Sequence, residues 1–320
     1  MAEKQAVSVT AMAPAERGDA SQVAKEARMM RTATFAAVAA ALVLIALKAG
    51  AYWATGSVAM LASLTDSMLD GAASLLNLVA VAMSLRPADR MHRFGFGKAE
   101  ALAALGQSVF VAGSSVFLLY EAIGRFFDPE PVDNSLEGIV VIVAAIVITL
   151  ALVSYQRRVI RATQSTAIEA DSVHYAGDLL MNLAVLASLA LTGFAGIPLA
   201  DPVFGVAIAL LIAWSALKIS RSAFDQLMDK EMSQDARERV MAAARQHPEM
   251  VDVHDLRTRT AGRRQFIQFH LELSPDITLR RAHQITNEVA DAVATEFPGA
   301  EILIHNDPAG EEFVPIRERL

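Results

Sequence analysis

Long runs of apolar residues alternate with short polar segments over the first two thirds of the chain. A helix needs roughly 20 predominantly apolar residues to cross a bilayer. Six runs reach about that length, at about 33–55, 58–85, 100–124, 136–156, 170–193 and 202–222. After residue 225 charged residues become frequent and no further long apolar run follows. The pattern predicts six membrane-spanning helices followed by a small domain in water.

The segment after residue 230 has the periodicities of a small α+β domain. Two stretches read as helices, "SQDARERVMAAARQH" and "TLRRAHQITNEVADAVATEF", with Ser233 and Thr278 as expected N-caps. Two alternating stretches flank "AGR", which predicts a β-hairpin, and "AEILIHND" predicts a last strand. The order α-β-β-α-β is expected to form a two-layer domain of the ferredoxin or metallochaperone type.

The composition agrees with a membrane protein. Hydrophobic residues make up 54% of the 320 residues, and the mean hydropathy is +0.37. The chain has no cysteine, which excludes disulfides and thiolate metal sites. Its net charge of −7 and the lack of a basic, aromatic-bearing face argue against nucleic-acid binding.

The basic residues predict the orientation in the membrane. Lysine and arginine concentrate in cytoplasmic loops. They occur before the first helix, after the second and after the fourth: Lys4, Arg17, Lys25, Arg28, Arg31, Arg86, Arg90, Arg93, Lys98, Arg157, Arg158 and Arg161. The opposite loops contain only Arg125, so both termini are expected in the cytoplasm. Lys48, near the outer end of the first helix, is expected to extend to the membrane surface.

These patterns together define four segments. Residues 1–31 are polar, lack the apolar core of a signal peptide and are expected to be disordered. The predicted organisation is a disordered segment at 1–31, a six-helix transmembrane domain at 32–225, a cytoplasmic α+β domain at 226–311 and a tail at 312–320.

Four polar residues inside the apolar runs are the main candidates for chemistry. Asp66 and Asp70 lie four residues apart in the second run, and His174 and Asp178 lie four apart in the fifth. Residues at this spacing share one face of a helix. Three carboxylates and one imidazole suit a divalent cation such as tetrahedral zinc. They could instead be hydrogen-bonding groups between helices, but two such pairs on separate helices favour a metal site.

The charge of this cluster also predicts an exchange of metal for protons. Three ionised carboxylates in a medium of low dielectric repel one another, and a divalent ion compensates two of the charges. Side chains lose protons when they bind a metal ion and regain them when the metal ion is released. Asp171 is left outside the cluster, because it lies at the expected start of the fifth helix, where an acid is favourable.

The motifs, taken in order, identify the chain as similar to the cation diffusion facilitator family, and within it to bacterial zinc and ferrous-iron efflux pumps. The resemblance covers about residues 30–310 and rests on "SLTDSMLD", "PADRMHRFGFGKAEALAALGQS", "EADSVHYAGDLLMN", "HDLRTRTAGRRQFIQFHLEL" and "ILIHNDP". It implies a homodimer that exports divalent metal from the cytoplasm in exchange for protons by alternating access. The four intramembrane residues fall on the family's transport site.

The resemblance implies further sites outside the membrane. Asp89 and His92 match a second metal site in the loop after the second helix, but Phe96 stands where a further histidine is expected. Lys98 and Asp229 match a pair of opposite charges that acts as an interlock.

The resemblance also places a two-metal regulatory site in the cytoplasmic domain. The matching residues are His254, His270, His283, His305 and Asp307. A carboxylate next to imidazoles can bridge two ions.

The function expected from the sequence is therefore a bacterial inner-membrane antiporter that works as a homodimer among membrane lipids, with protons as counter-substrate. Zn²⁺ is the expected cargo and regulatory ion, with Fe²⁺ next and Mn²⁺, Cd²⁺ or Co²⁺ as alternatives. A membrane metal sensor without transport is the other alternative. The protein is not expected to be an enzyme, since an intramembrane zinc protease would need a motif such as H-E-x-x-H, which is absent.

Overall fold

The computed structural model describes residues 14–56, 58–127, 136–195 and 200–310, and this part of the chain forms eight helices and three strands. The helices are α1 Pro14–Thr55, α2 Val58–Ser84, α3 Lys98–Phe127, α4 Leu136–Thr163, α5 Thr166–Ala195, α6 Ala200–Leu227, α7 Gln234–Ala244 and α8 Leu279–Glu296. The strands are β1 Met250–Ala261, β2 Arg264–Leu273 and β3 Glu301–Pro308. The predicted fold class is confirmed. The predicted tail at 312–320 lies outside the described residues.

The first six helices form the transmembrane domain. Within the described residues, five of them (α1 to α4 and α6) are long and apolar enough to cross a membrane. The sixth, α5, has 30 residues and carries the predicted His174 and Asp178. Large apolar side chains such as Phe117 and Trp214 are about two-thirds exposed, at 68% and 67%. Such a surface is suited to lipid rather than water.

Residues 1–31 were expected to be disordered; the described part of the chain is helical from Pro14 onward, and residues 1–13 lie outside it. Helix α1 begins at Pro14, a favourable first helical residue. Met30 is fully buried in a cluster with Val81 of α2. Glu26 forms an ion pair with Arg263 of the later domain. In these contacts, residues of α1 meet residues that are distant in sequence, so the composition of the first 31 residues could not indicate them.

The C-terminal domain is a three-stranded sheet with two helices. Its strand order is β1-β2-β3. Strands β1 and β2 are antiparallel, whereas β2 and β3 are parallel and are connected through α8. Ile267, Phe269 and Leu271 of β2 are buried in one core with Val240 of α7 and Val289 of α8. Because side chains alternate along a strand, His270 and Glu272 lie on the opposite face.

Both predicted helix caps are confirmed. The Ser233 hydroxyl accepts a hydrogen bond from the Ala236 backbone N–H, and the Thr278 hydroxyl accepts one from the Arg281 N–H. Each cap satisfies an otherwise unpaired donor in the first helical turn.

The hairpin between β1 and β2 touches the loop that precedes α3. Gly262 turns the hairpin at φ +59°. A Cβ at Gly97 would lie 2.0 Å from the Ala261 carbonyl oxygen, so only glycine fits this approach. Beside it, Phe94 packs edge-on against Phe266, with ring centroids 5.8 Å apart. This loop–hairpin contact, residues 94–97 against 261–266, joins the two domains.

Candidate metal centre

Helices α2 and α5 bring three of the four predicted intramembrane residues together. His174 Nε2 lies 2.8 Å from Asp70 Oδ1 and 3.8 Å from Asp178 Oδ2. One ligand atom from each of the three lies within 4.8 Å of the others. His174 and Asp178 are one helical turn apart on α5, while Asp70 comes from the facing side of α2. Two acids and an imidazole at these distances can coordinate one divalent transition-metal ion.

Asp66 is not part of this cluster of close ligand atoms, although it belongs to the same cavity. It lies one turn before Asp70 on α2 and is exposed. A cavity of about 820 Å³ is lined by Asp66 together with Asp70, His174 and Asp178. Asp66 could therefore act as a fourth ligand only if its carboxylate moved closer to Asp70, His174 and Asp178.

Lys48, which was expected to extend to the membrane surface, forms hydrogen bonds with the neighbouring helix α2. Its side chain lines this cavity. The ammonium Nζ donates hydrogen bonds to Ser67 Oγ at 2.6 Å and to the Ser63 carbonyl oxygen at 3.1 Å. The sequence gives no sign of these two acceptors, because they belong to the next helix.

Asp171 lies in the second turn of α5 rather than at its start, and it is a buried hydrogen-bonding centre. Its side chain is fully buried. The carboxylate accepts hydrogen bonds from Ser74 Oγ at 3.3 Å, Gln107 Nε2 at 3.2 Å and Gln156 Nε2 at 2.6 Å. These donors come from α2, α3 and α4, and they offset the cost of burying the carboxylate. Asp171 thus ties three helices to α5, which carries His174.

The two predicted ligands in the loop after α2, Asp89 and His92, make contacts within the loop itself. Asp89 Oδ1 accepts hydrogen bonds from the backbone N–H of His92 at 2.6 Å and of Met91 at 2.9 Å. The hydrogen bond from the His92 backbone is the main reason that the pKa of Asp89 lies below its ordinary value. The His92 ring packs on Phe96, with centroids 4.4 Å apart. Asp89 shapes the loop, and Phe96 supplies an aromatic contact instead of a ligand.

The two residues of the predicted charge interlock form an ion pair where α3 begins and α6 ends. Lys98 Nζ lies 2.9 Å from Asp229 Oδ1, and Arg259 of β1 lies 3.3 Å from the same oxygen. Burial would raise the pKa of Asp229, but the hydrogen bonds and charges of Lys98 and Arg259 outweigh it and lower that pKa. Asp229 therefore also pairs with an arginine of the cytoplasmic domain that the sequence did not indicate.

Three histidines of the cytoplasmic domain lie in a row across the sheet. His254, His270 and His305 are register partners on β1, β2 and β3. Their ring centroids are 5.3 Å apart between His254 and His270 and 4.8 Å apart between His270 and His305. Asp307 lies 2.7 Å from His270, 3.4 Å from His254 and 3.2 Å from His305. One carboxylate in contact with three imidazoles is suited to bind or bridge metal ions.

His283 is not brought to this row within one chain. It is exposed on α8, which packs on the opposite face of the sheet, and its Nε2 lies 3.3 Å from Asn287 Nδ2.

Sequence reasoning also missed Glu272, whose Oε1 lies 3.2 Å from His254 Nδ1. The signal was available, because Glu272 follows His270 by two residues and shares its face of the strand.

Asp255 was missed for a different reason. Its Oδ2 lies 3.8 Å from His270 Nε2. It has φ +47° at a register irregularity of β1, which simple alternation does not predict.

Comparisons with known proteins cover almost the whole described chain. A family model described as the cation efflux transmembrane domain matches residues 34–228, and one described as the cytoplasmic domain of cation efflux proteins matches residues 232–309. The cation-efflux pump FieF of Cronobacter sakazakii is 45% identical over 281 residues, which are 88% of this chain and 93% of that protein. FieF of Shewanella oneidensis is 46% identical over 283 residues, which are 88% and 95% of the two chains. A solved zinc form of CzrB, described as a candidate zinc transporter, is 36% identical over 27% of this chain and 99% of its own, with a TM-score of 0.25.

Proposed function

Because the chain belongs to the cation efflux family, we propose that it is a proton-coupled antiporter that exports divalent transition-metal cations by alternating access. The expected cargo is Zn²⁺, with Fe²⁺ next. The chain is a multi-pass membrane protein, and the proposal places it in the inner membrane as a homodimer with both termini in the cytoplasm. The distribution of lysine and arginine supports this orientation.

The observation that carries the proposal is the contact of His174 with Asp70 and Asp178 across two membrane helices. The same oxygen and nitrogen atoms can hold either protons or one metal ion. Binding the metal displaces protons, and protons displace the metal when the cavity opens to the other side. The cluster thus couples two ion flows through one set of ligands.

The ligand set supports a borderline metal more than a hard one. An imidazole beside carboxylates suits Zn²⁺ or Fe²⁺, whereas an all-oxygen site favours Mn²⁺. Cd²⁺ and Co²⁺ remain alternative cargoes of the same site. His174→Asp should therefore raise Mn²⁺ transport relative to Zn²⁺, and a competition ratio equal to wild type would place selectivity elsewhere.

The row of His254, His270 and His305 with Asp307 supports a regulatory metal site in the cytoplasmic domain. A bound ion there would fasten β1, β2 and β3 together. If the chain bound metal at this row without transport, it would be a membrane metal sensor.

Metal flux in proteoliposomes with an imposed pH gradient tests the proposal. Wild-type protein should move Zn²⁺ against the proton flow, and Asp70→Asn or Asp178→Asn should abolish this movement. Asp291→Asn is the matched control, because Asp291 is an exposed acid of α8 outside either ligand group. Wild-type flux in the Asp178 variant would refute the assigned site, and metal binding without flux in the wild type would support the sensor.

A further inference from the structure

Lys48 is a charged residue that shares the cavity with the predicted metal ligands. Its ammonium is held by Ser67 Oγ and the Ser63 carbonyl oxygen, and the Ser67 side chain is only 2% exposed. Ser63, Ser67 and Asp70 are spaced four and three residues apart, so they lie on one face of α2. The lysine is therefore anchored about one helical turn from Asp70.

The position is unusual for a lysine in a membrane helix. A lysine near the lipid normally extends its flexible stem until the ammonium reaches the polar interface. Here two of the three ammonium N–H donors are used by acceptors on a neighbouring helix. The charge is thereby fixed inside the cavity.

Four carboxylates line the cavity with Lys48, those of Asp66, Asp70, Asp178 and the exposed Glu121. Asp66, Asp70 and Asp178 contribute three negative charges when ionised, and a divalent cation contributes two positive ones. Lys48 supplies one further positive charge. Without it, the cavity would carry one more net negative charge both empty and loaded, and it would attract a dication more strongly.

On the basis of the transport function proposed above, we propose that Lys48 is a fixed counter-charge of the metal centre that weakens cation binding enough to permit release. A site that passes an ion across a membrane must bind it well enough to load and weakly enough to unload. A positive charge in the same cavity repels the dication, and it stabilises the carboxylates after the metal has left. Lys48 acts through the electric field of the cavity and not as a ligand.

Kinetics of the full-length protein in proteoliposomes test this role. Lys48→Met removes the charge and keeps the apolar stem. The Zn²⁺ concentration for half-maximal flux, KM, should fall roughly tenfold, the order expected for loss of one unit charge in a partly shielded cavity. The maximal rate, kcat, should fall with KM because release becomes slower. Lys48→Arg keeps the charge and should restore both values.

Two further variants control the comparison. Lys218→Met changes an exposed lysine of α6 that does not line the cavity, and it should leave KM and kcat unchanged. Lys48→Gln can still hydrogen-bond to Ser67, so it should fold even if Lys48→Met does not, and it should show the same fall in KM.

The outcomes separate a charge effect from a structural one. If Lys48 only tied α1 to α2, Lys48→Met would lower the melting temperature without a joint fall in KM and kcat. An unchanged or raised KM in folded Lys48→Gln, or an equal shift in Lys218→Met, would overturn the proposal while the transport function stood. Absence of pH-driven flux in the wild type would instead overturn the transport function, and the role of Lys48 with it.

Discussion

A single methyl group at Gly97 should disturb the contact between the two domains. In the structure, a Cβ at this position would lie 2.0 Å from the Ala261 carbonyl oxygen and 2.7 Å from its carbonyl carbon. Non-bonded heavy atoms rest at roughly 3.5–4.0 Å. The hairpin tip would therefore have to move away by more than about 1 Å, since a backbone carbonyl cannot rotate aside as a side chain can.

The cost of Gly97→Ala follows from this overlap. Overpacking typically costs about 1–3 kcal/mol, and in a protein of this size that corresponds to a melting temperature lower by roughly 2–12 °C. The displaced hairpin should also loosen the neighbouring packing of Phe94 on Phe266. Detergent-solubilised protein would be compared by thermal unfolding and by the rate of proteolysis between α6 and α7.

Gly106→Ala is the matched control for this substitution. Gly106 lies inside α3, and a Cβ there meets nothing within 4 Å. Alanine is the better helix former by about 0.5–1 kcal/mol, so this variant should be as stable as wild type or more so. Equal melting temperatures and equal proteolysis rates for Gly97→Ala and Gly106→Ala would refute the claim that glycine is required at the loop–hairpin contact.

Three other predictions concern sites outside the membrane. Zn²⁺ at a hundredfold excess over Kd should stabilise the separately expressed cytoplasmic domain by about 2.7 kcal/mol at pH 7.5. Asp307→Ala should remove most of this stabilisation, whereas the control Asp291→Ala should not. A melting temperature independent of zinc would contradict the metal site. The double variant Asp89→Ala, His92→Ala should keep the wild-type zinc stoichiometry by elemental analysis, and a loss of one ion per protomer would show that the loop binds metal after all. Asp229→Asn should cost at most about 1 kcal/mol, because the ion pair is more than one third exposed. Since the pKa of Asp229 is lowered from 3.8 in the folded protein, this difference should be fully present above pH 3.8 and be lost as the pH falls through the lowered value; a difference that does not shrink at all as the pH falls below 3.8 would exclude the ion pair as its cause.

Local patterns in the sequence were sufficient for the elements and for the paired ligands. Apolar length predicted the membrane helices, because a bilayer imposes a minimum span. Period-two alternation and cap residues predicted the α-β-β-α-β order, and Ser233 and Thr278 cap the helices as expected. Spacing by four residues predicted that His174 and Asp178 share a face, since this is a property of one helix.

Features that depend on contacts between elements were not available from the sequence. The start of α1 at Pro14 precedes residues that contact distant parts of the chain, Met30 in a buried cluster and Glu26 in an ion pair with Arg263. The row of histidines depends on the register of three strands, which neighbouring residues in sequence do not specify.

The same distinction between local pattern and contacts between elements applies to the intramembrane site. The sequence by itself determined which residue types stand at Asp70, His174 and Asp178, and it predicted a cation site between two helices. Only the tertiary structure decided that Asp66 stands apart from these three and that Lys48 joins their cavity. The physical reason is that spacing along a helix fixes the face on which a side chain lies, whereas helix packing decides which other charges meet that face.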